Sequence, residues 1–359
     1  MTTTATAPTP VAWFGGRLAQ QLVEVVHAQA PDDVAGVLAH LDRTGGWWAV
    51  VGEFEGSLTL ARFADVREAP LPHAPRAWAG LSRAGWTTSL DREQYLAACD
   101  EVRARIARGE VYQVNVCRVL SRRIGPDVDL LALAAQVQRH NPAPYAGYVR
   151  LPGLEVVCAS PELFVERSGR RVRTGPIKGT ATDASRLLPK DVDENVMIVD
   201  LARNDLSTVC VPGSVDVPAL LEAEVHPGLV HLVSRVEGDL RPDVGWPGVW
   251  AAVMPPASVT GAPKSSALRA IADLETSPRG PYCGAIGWID ADAGAARLAV
   301  GIRTFWADGD PAVDRTLRFG TGAGITWGSD PAGEWDETEL KAATLLAVAA
   351  RPHGAHPLL

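Results

Sequence analysis

Four short alternating segments, 145–150, 155–158, 163–166 and 171–173, follow one another with no helix-length run between them. Strands that cluster in adjacent runs, instead of alternating one by one with helices, predict an α+β chain with large, mostly antiparallel β-sheets packed as a sandwich, flanked by helices. The last two segments read as a hairpin turning at Ser168-Gly169. Further strands are expected at 111–121, 229–239, 282–290, 296–306 and 315–319. Apolar residues at 95, 99, 102 and 106 predict a helix over 91–109, stopped by Gly109. Helices are also expected at 128–139, 191–209, 263–275 and 331–349, with Pro263 in the first turn of the fourth. With no repeat and no long linker, 11–350 is read as one domain between short tails at 1–10 and 351–359. Its 11–90 part carries little punctuation, and the chemistry-bearing groups crowd into 91–350.

Composition narrows the function classes. Forty-two acidic against 34 basic residues give a formal charge of −8, without a basic block or an aromatic ladder, so no nucleic-acid partner is expected. No run of 18 apolar residues and no basic, apolar leader is present, which predicts a soluble cytoplasmic protein without a membrane partner. Five scattered cysteines, Cys99, Cys117, Cys158, Cys210 and Cys283, form no CxxC pair and are read as reduced core residues.

Pro176-Ile177-Lys178-Gly179-Thr180 reads as a turn that places a lysine where a nucleophile could meet a small anion. Alone, such a lysine is most often a solvated turn residue. The hairpin changes the reading, because Glu162 and Lys178 stand on its two flanks and a carboxyl and an amine can then share one cleft. Asp191 and Glu194 share one helix face; Glu334, Glu337 and Lys341 share another. Each face alone reads as solvated, but together their oxygens suit Mg²⁺. Gly320-Thr321-Gly322-Ala323-Gly324 reads as a Gly-rich turn, and Ser258-Val259-Thr260-Gly261-Ala262-Pro263-Lys264 as a helix N-terminus; small residues in both let backbone N–H groups approach an anion.

In order along the chain, GEVYQVNV (109–116), SPELF (160–164), PIKGT (176–180), DENVMIVDLARND (193–205), HLVS (231–234), SVTGAPK (258–264), RGPYCGAIG (279–287), GIRT (301–304), GAGI (322–325) and the E-x-x-E-x-x-x-K run at 334–341 resemble the chorismate-utilising enzymes built like anthranilate synthase component I. The resemblance covers roughly 90–350. Lys178 stands where anthranilate synthases usually carry Ala, which implies the aminodeoxychorismate synthase component I branch. Gln113 stands where isochorismate and salicylate synthases place a water-activating lysine, which disfavours those activities.

The resemblance implies a role for each group. Glu162 is the general acid and Lys178 the nucleophile toward C2 of chorismate, with His231 and Thr260 lining the cleft; a purely structural role for His231 stays open. Gly179, Thr180 and the backbone of Gly322, Ala323 and Gly324 would hold the ring carboxylate. Tyr282 and Arg303 would grip the enolpyruvyl carboxylate, and Lys341 would position carboxylates. Mg²⁺ would sit on Glu194 and Glu337, flanked by Asp191 and Glu334. Pro144 and Tyr145 match a candidate effector-binding edge, although inhibition by tryptophan is not claimed. Ammonia would come from a separate glutamine amidotransferase, since no cysteine here sits in a Gly-x-Cys-x-Gly setting. The stretch between Thr180 and Asp191 is shorter than the family's, and the family's RND-x-G-R-V run is altered at 203–209. Anthranilate synthase component I is the second reading, and a non-catalytic chorismate-binding or scaffolding protein the third.

The chemistry makes one physical demand. From a reference pKa of about 10.4, roughly one lysine in 2,500 is neutral at pH 7, so burial must favour the neutral amine and, by the same cause, hold a proton on Glu162.

Overall fold

The computed structural model describes residues 9–181, 189–226 and 229–354. The expected tails at 1–10 and 351–359, and the short stretch after Thr180, therefore fall wholly or largely outside the described residues.

The described residues form eighteen strands and seven α-helices. Every recorded strand pairing is antiparallel. One half of the curled sheet runs from β12 (Asp216–His226) through β13 (Leu229–Asp239) to β10 (Arg171–Gly175) and β11 (Ile177–Ala181). It continues through β9 (Leu163–Ser168), β16 (Ala295–Val300), β15 (Ala285–Asp290), β3 (Trp47–Gly52) and β4 (Leu58–Glu68). The other half passes from β2 (Arg17–Ala28) and β1 (Val11–Phe14) through β7 (Tyr145–Leu151), β8 (Leu154–Ser160) and β17 (Thr304–Asp308). It ends in β18 (Arg315–Ile325) and β6 (Gln113–Ile124), whose flanks carry β5 (Thr87–Thr88) and β14 (Gly261–Ala262).

Two apolar cores follow from the period of two. Phe14, Val149, Val156 and Trp306 face the core between the halves, while their neighbours Trp13, Tyr148, Val157 and Phe305 face a second core. That second core packs against α3 (Leu130–His140) and α7 (Pro331–Ala350). Buried on both faces, such strands read as continuous apolar runs. The remaining helices are α1 (Pro31–Thr44), α2 (Arg92–Ala107), α4 (Pro189–Ser207), α5 (Trp246–Val253) and α6 (Lys264–Leu274). In α2, Asp91 and Gln94 form a reciprocal capping box, and Gly109 has φ +75° just past the end. All five cysteines are buried free thiols.

Five local expectations need correction. The 320–324 run is the end of a strand, since Gly320, Gly322 and Gly324 lie in β18 in full register with Val119, Cys117 and Asn115 of β6. Glycines stand there because neighbours occupy their missing side chains: a Cβ at 320 would lie 2.1 Å from the Tyr282 ring, and one at 322 only 2.6 Å from Cys117 Sγ. The PIKGT run is also a strand, β11, with an irregular register between Lys178 and Thr180. The strand expected at 296–306 is two strands, β16 and β17, broken at Gly301-Ile302-Arg303, where Arg303 takes φ +52°. Pro263 caps α6 instead of entering its first turn, and the strand expected from Tyr282 starts at Ala285.

Gly320→Ala should lower the unfolding free energy by about 1–3 kcal/mol in urea titrations, through overpacking against Tyr282. Gly328→Ala, which meets nothing within 4 Å, should stay within about 0.5 kcal/mol of the parent.

Candidate active site

Glu162 lies in the two-residue link between β8 and β9, and its backbone is fixed there from both sides. Its N–H donates to Ser160 Oγ at 3.1 Å, and its carbonyl accepts from Val300 N at 3.1 Å. Only 4% of the residue is exposed. Burial pushes its carboxyl from 4.5 up to about 7, against the opposing pull of the Ser258 hydroxyl, the Lys178 charge, the Ile177 N–H and the Lys341 charge. The Ile177 contact ties the carboxyl to β11, one residue before Lys178. Glu162 and Lys178 therefore open onto one site.

Lys178 is held in β11 opposite Leu232 of β13, and its ammonium lies 3.6 Å from Glu194 Oε2. Glu194 is set by its neighbour on α4. The fully buried Asn195 donates through Nδ2 to Leu232 O at 3.1 Å, and its Oδ1 accepts from Ser234 Oγ at 2.5 Å. At the far end of α4, Asp205 pairs with Lys264 Nζ at 2.7 Å, so Lys264 ties two helices together.

From α7, Lys341 reaches the same place. Its Nζ donates to Gly322 O at 3.1 Å and pairs with Glu337 Oε1 at 2.6 Å, one helical turn away. Glu334 is buried, and Ser329 Oγ donates to its Oε1 at 2.6 Å. Gly324 opens the floor between these groups: a Cβ there would stand 2.3 Å from Gln113 Nε2 and 3.5 Å from Lys178 Nζ. Gln113 is buried, and its Oε1 has no hydrogen-bond partner.

Arg303 is a partly buried guanidinium for which no ion pair is recorded among the described residues. Burial alone lowers its pKa. Tyr282 is buried with its ring over Gly320, its hydroxyl accepting from Cys117 Sγ at 3.8 Å. Thr260 is fully buried and donates to Pro256 O at 2.8 Å. The backbones of Gly179, Thr180, Asp191 and His231 fall within β11, α4 and β13, with Thr180 opposite His231, but their side chains lie outside the described residues. Ala323 is buried on β18. Pro144 is exposed, and Tyr145 opens β7 opposite Ser160, its hydroxyl pushed up in pKa by burial. Sequence reasoning missed Ser258 as the hydroxyl partner of Glu162, although it had singled out that segment.

Among the described residues no group of three His, Cys, Asp or Glu side chains is placed to hold a metal. Glu194 and Glu337 nevertheless offer the hard oxygens Mg²⁺ takes, and that ion commonly uses one or two protein carboxylates with substrate and water completing its shell. The donor chemistry therefore fits.

The titration of Glu162 carries a stability prediction. A carboxyl whose folded pKa is raised stabilises the fold fully below its unfolded value near 4.5, and that contribution disappears as pH rises through about 7. Its loss is on the order of 3 kcal/mol. Urea unfolding of the parent should therefore weaken between pH 4.5 and 8 relative to Glu162→Gln, and parallel curves would contradict the assignment.

Residues 49–347 match the family model described as chorismate binding enzyme. The chain is 36% identical over 290 residues to anthranilate synthase component 1 of Aeropyrum pernix, a match covering 77% of this chain and 65% of that protein. It is 39% identical over 273 residues to the aminodeoxychorismate synthase of Streptomyces pristinaespiralis, covering 72% of this chain and 37% of that one. The chain thus spans less than two thirds of the length of either relative. Anthranilate synthase component I from Streptococcus pneumoniae shares the fold at a TM-score of 0.73 and 22% identity, covering 95% of this chain and 91% of that one. MenF, the isochorismate synthase of Escherichia coli, shares it at 0.77 and 21%, covering 97% and 90%. The motifs, the curled antiparallel fold and the family match agree that this chain belongs to the chorismate-binding enzymes.

Proposed function

We propose that this chain is an aminodeoxychorismate synthase component I, which replaces the C4 hydroxyl of chorismate with ammonia to give 4-amino-4-deoxychorismate. The observation that carries the reading is the buried Glu162 carboxyl, pushed up to about 7 beside Lys178. Near neutral pH such a group can hold a proton and give it away.

Lys178 Nζ bonds to C2 as the two conjugated double bonds of the ring both shift round toward C4, and the C4–O bond breaks as Glu162 hands its proton to the departing oxygen, which leaves as water. Ammonia then bonds to C4, both double bonds shift back, the C2–Nζ bond breaks to return the neutral lysine, and the new C4 ammonium gives a proton back to Glu162. Arg303, lacking a recorded protein anion, grips the enolpyruvyl carboxylate together with Tyr282. Lys341 holds Glu337 and the Gly322 carbonyl, and so fixes the carboxylate-bearing wall. Glu194 and Glu337 would hold Mg²⁺, with Asp191 and Glu334 beside them; when bound, the ion offsets the repulsion between these acids and the ring carboxylate. Gly179, Thr180 and the 322–324 backbone lie at that end of the substrate, and His231 and Thr260 support the wall. We assign the ammonia supply to a separate glutamine amidotransferase, and the product to 4-aminobenzoate, for folate or a related natural product made in the cytoplasm. No described helix is long and apolar enough to cross a membrane.

Anthranilate synthase component I remains the second reading, supported by the Aeropyrum relative. A merely binding or scaffolding protein needs no amine beside a protonated acid. Mass and fluorescence analysis of products from chorismate, Mg²⁺ and ammonium separates the readings: 4-amino-4-deoxychorismate is expected, and anthranilate would select the alternative. Lys178→Ala should cut turnover by at least about a thousandfold with an unchanged circular dichroism spectrum, and undiminished turnover would refute the nucleophile.

A further inference from the structure

A cavity of about 680 Å³ among the described residues shares no lining residue with the Glu162 site. It lies among the start of α1, the turn after β3, the helices α5 and α6, and the segment that follows α6. Its walls are mainly apolar, including Val34, Phe54, Trp250, Met254 and Leu268. A space of this size lies within the roughly 300–1,000 Å³ that small-molecule sites occupy.

Two charged side chains line it, Glu55 and Glu275. Glu275 is neutralised, because its carboxylate takes Arg279 Nε at 2.8 Å and Arg279 Nη2 at 2.6 Å. Glu55 is different. It accepts only from the backbone N–H groups of Arg279, at 2.6 Å, and Gly280, at 3.0 Å, and no ion pair is recorded for it among the described residues. The lining therefore carries one uncompensated negative charge beside a deep apolar surface.

The cavity wall also touches the machinery of the other site. Buried Arg279 lies with its guanidinium 4.1 Å over the Phe54 ring; its Nη1 donates to Val259 O at 2.8 Å and its Nη2 also donates to Asn115 O at 2.7 Å. Val259 follows Ser258, whose hydroxyl bonds the Glu162 carboxyl. On the opposite wall, Trp250 packs edge-on against Phe164 at 6.4 Å, two residues from Glu162. A molecule that moved Phe54 or Trp250 would press on both supports of that carboxyl.

We propose that this cavity is a second ligand site, for a monocationic amine on a compact apolar body, and that it is coupled to the Glu162 site through Arg279 and Trp250. The ammonium pairs with Glu55 while the apolar body fills the space between α1, α5 and α6. Binding free energies at the two sites are then linked, and linkage is reciprocal.

Phenethylammonium is the probe, with 3-phenylpropanoate as a control of similar ring and opposite charge, each titrated calorimetrically into the full chain. The amine should bind and raise the melting temperature, and the acid should bind at least about tenfold more weakly. Ala251→Trp, on an exposed position of the wall, should abolish amine binding by filling the cavity, and Glu55→Gln should weaken it about tenfold. Saturating chorismate should change the amine affinity severalfold in the absence of ammonium, a readout that needs no turnover and so fails independently of the proposed reaction. Equal binding of amine and acid, undiminished binding by Ala251→Trp, or an amine affinity indifferent to chorismate overturns the proposal. So does binding of neither molecule, with sedimentation showing the cavity covered by a second copy of the chain.

Discussion

Removing one carboxyl from water constrains the rest of this molecule more than any other contact. Glu162 is held by backbone bonds on both sides in the narrow link between two buried strands, and the residue is almost wholly out of contact with solvent. Burial alone would make it a permanent neutral acid. A hydroxyl, a backbone N–H and two lysines each draw it partway back, so that it settles near neutrality, where proton transfer in either direction is inexpensive. The supports come from four separate elements: the 3₁₀ turn at Ala257–Val259, β11, α7 and the β8–β9 link. Much of the fold can be understood as the means of bringing those four to one point.

The strand β18 supplies the space. Its alternating glycines on one face cede volume to the Tyr282 ring, the Cys117 thiol, and the ends of Gln113 and Lys178. A strand with ordinary side chains there would fill the floor on which polar groups now converge. The cost is weak intrinsic strand preference, offset by an eleven-pair ladder with β6.

The same feature explains where sequence reading succeeded and failed. The antiparallel architecture was legible from 145–173, and α2 from its apolar spacing, because those patterns reflect burial of one local face or stripe. The glycine run and PIKGT looked like turns because their local chemistry is that of turns; only partners distant in sequence make them strands. The break at Arg303 was invisible for the converse reason: the residues read as a continuous strand, yet the chain takes a left-handed step there that leaves the guanidinium without a recorded anion. Glu162, Lys178, Glu194, Glu337 and Lys341 were singled out by hairpin and helix-face spacing and given roles by motif resemblance, whereas Ser258 was overlooked because a buried hydroxyl carries no distinctive spacing. Residues 10–90 supply five strands and a helix whose identity depends on packing against the far half of the sheet.

The most direct measurement is the titration of the Glu162 carboxyl itself, followed by carbon NMR on protein with carboxyl-labelled glutamate and assigned by comparison with Glu162→Gln. A midpoint near 7 in the ligand-free protein is predicted. A midpoint near the ordinary 4.5 would mean that the carboxyl is solvated and always charged at neutral pH, and the account of this site as a proton donor beside Lys178 would be wrong.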